Sequence, residues 1–101
     1  MIKNTQGITT IEFEQKVQAF CPIGKDYYTA TIYVVMEPDE NIMDYCKTTD
    51  FIKSLGGKSL IIEDLVKVVF DAIKEYEPMH LEVSAYAESN VHFPVTVTKA
   101  E

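Results

Sequence analysis

With 101 residues, an apolar share of 47% and a charged share of 25%, the chain has material for one core and not for two, so a single domain over residues 1–101 is expected. Acidic side chains outnumber basic ones 16 to 9, giving a net charge of −7, and the lysines form no stripe to displace counterions from a polyanion, so nucleic acid is not an expected partner. No apolar run approaches the ~20 residues that cross a bilayer, and Met1 to Gln6 lack the apolar core of a secretory signal, so a cytoplasmic location without membrane contact is expected.

Thr10 to Phe20 alternates, with Ile11, Phe13, Val17 and Ala19 on one parity and Glu12, Glu14, Lys16 and Gln18 on the other. This predicts a strand with one buried face. Cys21-Pro22-Ile23-Gly24-Lys25-Asp26 carries the Pro and Gly of a turn. Tyr28 to Met36 alternates again, through Ala30, Ile32, Val34 and Met36, and completes a hairpin. Pro38-Asp39-Glu40-Asn41 breaks it.

A helix is predicted over about Asp44 to Leu55, with Tyr45, Thr49, Ile52 and Leu55 along one side. Gly56-Gly57 stops it, since glycine enters left-handed angles without a Cβ clash. Ser59 is read as an N-cap for a second helix, Leu60 to Tyr76. Ile62, Val66, Val69, Ile73 and Tyr76 recur there at three- and four-residue steps. Pro78 closes it. Leu81 to Glu88 and Val91 to Thr98 alternate on either side of Ser89-Asn90, predicting a second hairpin with His92 on its polar parity.

The order ββααββ predicts an α+β domain: a four-stranded antiparallel sheet with both helices on one face. Thr31, Tyr33, Ser84, Tyr86, Thr96 and Thr98 fall on the other face. That face is rich in Thr and Tyr, and the long edge over Val91 to Thr98 has no blocking charge. Unprotected edges recruit strands, so a ring-shaped homo-oligomer joined through sheet edges is expected. Two cysteines, Cys21 and Cys46, and two histidines, His80 and His92, lie scattered, so no metal site is expected.

Several segments resemble one family in register. They are Cys21-Pro22 in the first turn, Ala30-Thr31-Ile32-Tyr33 in the second strand, Pro38-Asp39-Glu40 after it, Ile62-Glu63-Asp64 at the head of the long helix, and Pro78 followed by Leu81-Glu82-Val83. The chain thereby resembles the 7-cyano-7-deazaguanine reductases of the tunnelling fold, and in its shortness the related archaeosine-forming amidinotransferases. The resemblance implies a pterin- or purine-handling oligomer whose small-molecule site lies at a subunit interface. It assigns Cys21 as the nucleophile that attacks a nitrile to form a thioimide, and Glu63 as the carboxylate that holds the deazapurine ring. Such a pairing suits the chemistry. A thiolate adds to a carbon electrophile, and a carboxylate accepts two N–H donors from a guanine-like edge.

The sequence departs from that family at three places. Tyr28 occupies the position of its proton-handling aspartate, with Asp26 two residues away as the substitute. Ile62 stands where the family has a histidine. Asp44 to Phe51 replaces the lysine-rich segment that binds NADPH. No cofactor is therefore expected, and thioimide formation would lead to transfer or hydrolysis rather than hydride transfer. The alternative is a catalytically inactive tunnelling-fold protein that binds a purine or pterin, or serves only in assembly.

Each candidate also has a plain structural role. Cys21 lies on the core-facing parity and suits a small buried site. Glu63 complements a helix dipole. Asp26 is a common turn residue. His92, the remaining candidate for contact with ligand, suits an exposed sheet surface.

Overall fold

The computed structural model describes residues 1–101. Two short strands and four long ones flank two consecutive helices: β1 Ile2–Lys3, β2 Ile11–Cys21, β3 Asp26–Glu37, β4 Asn41–Ile42, α1 Tyr45–Ser54, α2 Ile62–Lys74, β5 His80–Ala87 and β6 Val95–Ala100. The four long strands form one antiparallel sheet in the order β2-β3-β5-β6. Both helices cover one face, as the ββααββ pattern implies.

The alternation in each long strand sets that face. Val17, Ala30, Ile32, Val34, Met36, Leu81, Val83 and Ala85 are buried against Ile52 and Leu55 from the α1 segment and Leu65, Val66, Val69, Phe70 and Ile73 of α2. Burial of apolar surface is worth about 25 cal/mol per Å², so this single cluster holds the two layers together. The opposite face carries two cross-strand rows, Thr31–Tyr86–Thr96 and Tyr33–Ser84–Thr98. Ser84 Oγ and Thr98 Oγ1 lie 2.8 Å apart in a hydrogen bond, and the Tyr33 hydroxyl donates to Glu12.

Several sequence expectations are corrected. The α1 stripe turned to the core is Thr48, Ile52 and Leu55, while Tyr45 is exposed and Thr49 half-buried. Asp44 caps α1, accepting from the Lys47 amide at 3.0 Å. Ser59 caps nothing. The chain at Lys58–Leu60 runs alongside the edge of β2, and α2 begins at Ile62 with no side-chain cap. Glu63 and Asp64 in its first turn complement the dipole instead. A small sheet of β1 with β4, absent from the alternation reading, is pinned by Lys3 Nζ donating to the nearly buried Asn41 Oδ1 at 3.3 Å. Two-residue strands leave no periodic signal.

The second hairpin departs most. Strand β6 starts at Val95, so residues 88–94 form a loop and His92 lies on that loop rather than on a strand. The pairing with β5 stops at Ala87 opposite Val95, one residue after Pro94. The exposed edge of β6 is accordingly six residues long.

That shortening shapes the site. Strand β3 has 12 residues, but its pairing with β5 runs only from Ala30 to Glu37. The tip of the β2–β3 hairpin, including Asp26 to Thr29, projects past the rest of the sheet.

Candidate functional site

The projecting hairpin, the head of α2 and the 88–94 loop enclose an open groove of about 910 Å³. Cys21, Asp26, Glu63 and His92 all line it, together with Tyr28 and Ile62. Residues more than 40 positions apart in sequence are brought together because β2 and β3 carry the turn while the linker before α2 docks on the β2 edge. Phe20 N–H donates to the Lys58 carbonyl and Leu60 N–H donates to the Phe20 carbonyl, both at 2.9 Å. Gly57 N–H donates to the Gln18 carbonyl at 2.8 Å.

Cys21 ends β2 on the core-facing parity, yet it is half-exposed rather than buried. The turn that follows supplies a donor to it: the Gly24 amide points at Sγ from 3.4 Å. Closing this turn places Lys25 at φ 55, with its amide on the Cys21 carbonyl at 2.8 Å.

Asp26 is the residue directly opposite Cys21 in the ladder. Directly paired residues present their side chains to the same face, with Cα atoms about 5.5 Å apart in a hydrogen-bonded pair. The carboxylate also accepts from its neighbour's backbone, the Tyr27 amide, at 2.8 Å.

Tyr28 is two residues further along that face. Its hydroxyl donates to the Leu60 carbonyl at 2.5 Å. Burial pushes its pKa up to about 12, and the negative charges of Cys21, Glu63 and Asp64 add to the rise. Tyr28 is therefore a neutral phenol at physiological pH, standing within electrostatic reach of both the thiol and the helix-head carboxylates.

Glu63 is exposed in the first turn of α2 and faces the groove. His92 is also exposed. Its Nδ1 is 2.6 Å from the Phe93 carbonyl, and its ring packs edge-on to Phe93. It reaches the groove from the loop. Cys46 is exposed on α1 and lines no part of the groove. No cluster of His, Cys, Asp and Glu has the arrangement of a metal site.

Sequence reasoning missed two parts of this wall. The 88–94 loop contributes Glu88 to Phe93, and Pro94 inside an apparent strand was the available signal. Tyr28 was read only as an absent aspartate; its partner Leu60 is 32 positions away, and nothing local announces that contact.

No family model matches the chain, and no curated protein matches it in sequence. Among solved structures, the crystal structure of the archaeosine synthase QueF-Like in the apo form superposes with a TM-score of 0.85. The match covers 93% of this chain and 94% of that one, at 16% sequence identity. Element order, sheet order and the placement of both helices on one face agree with that likeness, and the chain has the tunnelling fold.

Proposed function

We propose that the groove binds a deazapurine- or purine-type base, with Glu63 as the anchor for its guanine-like edge and Cys21 as a nucleophile toward a nitrile carbon. The observation that carries this reading is that Cys21 and Glu63 open into one groove, with a backbone amide on the Cys21 sulfur. In the step proposed, the sulfur lone pair forms the S–C bond and one C–N π pair moves to nitrogen. That nitrogen takes a proton equivalent to the one lost by the thiol, so the adduct is a thioimide. Asp26, directly opposite Cys21 on the same hairpin face, is the proton relay in this reading. An amine or water then displaces the thiolate, giving transfer or hydrolysis. Hydride transfer is not part of the reading, because the segment from Asp44 to Phe51 carries a single lysine, Lys47.

The groove is open to one side, and Ile23, Val91 and Phe93 at its rim are 79%, 71% and 75% exposed. A second copy of the chain covering this rim would close the site, which supports a homo-oligomeric assembly. A second reading, an inactive binder of purines or pterins, draws on Tyr28. Its hydroxyl proton is committed to Leu60, leaving Asp26 alone to handle protons beside Cys21.

Calorimetric titration with 7-cyano-7-deazaguanine tests the binding reading. Binding near one ligand per chain, weakened by Glu63→Gln, is expected. Absence of any heat or competition with the wild-type protein would reject it.

A further inference from the structure

The outer edge of β2 is only half covered. Gln18 and Phe20 turn their backbone groups away from β3, where Gly57, Lys58 and Leu60 pair with them. Alternate residues of an antiparallel strand share that direction, so Glu12, Glu14 and Lys16 also turn theirs outward. None of those three has an outward partner. A second groove, of about 530 Å³, lies between this bare edge and α1. Ile8, Phe13, Met43 and Tyr45 give it apolar walls, and Tyr45 is 58% exposed.

One buried polar group opens into it. Thr48 lines the groove and is only 8% exposed. Gln15 Nε2 donates to the carbonyl of the next residue, Thr49, at 3.2 Å, but the Thr48 hydroxyl has no partner. No fully buried side-chain oxygen of the chain is left unpaired, so that hydroxyl faces the groove.

Charge selects the occupant. None of the 11 residues lining this groove is a lysine or arginine, and Glu12 and Glu14 are among them. The chain's ion pairs are Lys67–Asp71 and Lys74–Glu101, so neither carboxylate is paired with a cation. Lys16 stands at the far end of the bare edge and does not line the groove. An open edge is completed by another strand, which bonds its backbone to the edge and sends alternate side chains into the groove beside it. In the proposed assembly that strand is β6 of a second copy. It carries one lysine, Lys99, whose ammonium rests over the Phe70 ring at 4.8 Å, and it belongs to a chain of net charge −7. A basic segment meets the same edge without like-charge repulsion.

We infer that the β2 edge from Glu12 to Lys16, with its groove, docks an extended basic segment of a partner protein in competition with a second copy of this chain. The segment runs antiparallel to β2. Its lysines or arginines stand directly opposite Glu12 and Glu14, where opposite charges across a ladder stabilise the pair. The residues between them turn to the helix side, an apolar one onto Phe13 and a hydroxyl-bearing one onto Thr48. The competition rests on the proposed assembly; the docking does not.

The test is fluorescence anisotropy with a capped, dye-labelled peptide, Ser-Val-Lys-Val-Lys-Thr-Ser. Two control peptides need no protein variant: one replaces both lysines by glutamate, and one methylates both lysine backbone nitrogens, keeping the charge and removing the ladder donors. The basic peptide should bind, and both controls should bind about tenfold or more weakly. Glu14→Lys, at an exposed position, should weaken binding by about tenfold, and Thr48→Val, which keeps the shape and removes the hydroxyl, by about fivefold. Saturating peptide should shift the sedimenting species toward the 11.5 kDa chain. No binding, or equal binding of either control peptide, overturns the docking. Binding that leaves sedimentation unchanged overturns the competition. A monomer in the absence of peptide overturns the assembly reading and the competition with it, and the anisotropy still decides the docking.

Discussion

The Tyr28 hydroxyl donates to the Leu60 carbonyl at 2.5 Å, joining the hairpin that carries Cys21 to the linker that delivers Glu63. With the Phe20 bridge to Lys58 and Leu60, this bond fixes the head of α2 against the tip of β3. The position of Glu63 relative to Cys21 is thus set by backbone partners rather than by a direct contact between the two.

Tyr28 should be the slowest of the six tyrosines to ionise. Its pKa rises from an ordinary 10.0 to about 12, chiefly through burial. A raised folded-state pKa contributes stability that is whole below pH 10 and is lost as pH climbs toward 12. Absorbance titration should show a late phenolate step that Tyr28→Phe removes. The fall in stability between pH 10 and 12 should be shallower in Tyr28→Phe. A late step that persists in the variant would assign the shift elsewhere.

Gly57 has φ 75, and its amide holds the Gln18 carbonyl. A Cβ there meets no atom within 4 Å, so the cost of Gly57→Ala is purely one of backbone conformation. A loss of about 1–2 kcal/mol is expected. Urea unfolding should show a lower midpoint with an unchanged slope. An unaltered midpoint would show that the linker tolerates another conformation.

The proposed assembly draws on the rim and the edges. Ile23, Val91 and Phe93 are exposed beside an open groove, and the β2 edge from Glu12 to Lys16 precedes the residues covered by the linker. Sedimentation at micromolar protein should give a species several times the 11.5 kDa chain mass. A clean monomer would contradict the assembly reading.

The long alternations from Ile11 to Met36 and the helical spacing from Val66 to Ile73 made the sheet, the two helices and the layer order legible. Period-2 and period-3.6 patterns survive in a chain because burial enforces them. The small β1–β4 sheet lacked any period to detect. The loop at residues 88–94 mimicked a strand, because Val91 and Phe93 keep the alternation although both are exposed. Cys21, Asp26 and Glu63 were legible as candidates from their turn and helix-head positions. Their convergence on one groove depended on the linker docking at Phe20, which is a tertiary event without a local signature.

Glu63→Gln should weaken base binding without altering the fold. The amide replaces one acceptor oxygen by a donor and mispairs an edge that offers two N–H groups. A loss of ~1–3 kcal/mol, or roughly tenfold to a hundredfold in affinity, is expected. Glu63 is exposed in the first turn of α2, whose N-terminus has no side-chain cap bond, so thermal stability should change little. Unchanged affinity would move the anchor to another groove residue.

Intact-mass spectrometry after incubation with 7-cyano-7-deazaguanine tests the nucleophile directly. Addition of a thiol across a nitrile loses no atoms, so the wild type should gain the full mass of one ligand per chain. Cys46→Ala should be labelled equally, and Cys21→Ala not at all. Labelling should be slow, since Tyr28 is a neutral phenol bound to Leu60 and acid–base assistance is typically worth ~10²–10⁴ in rate. No adduct on a Cys21 that small alkylating agents modify freely would contradict the nucleophile, and an adduct that persists in Cys21→Ala would contradict its assignment.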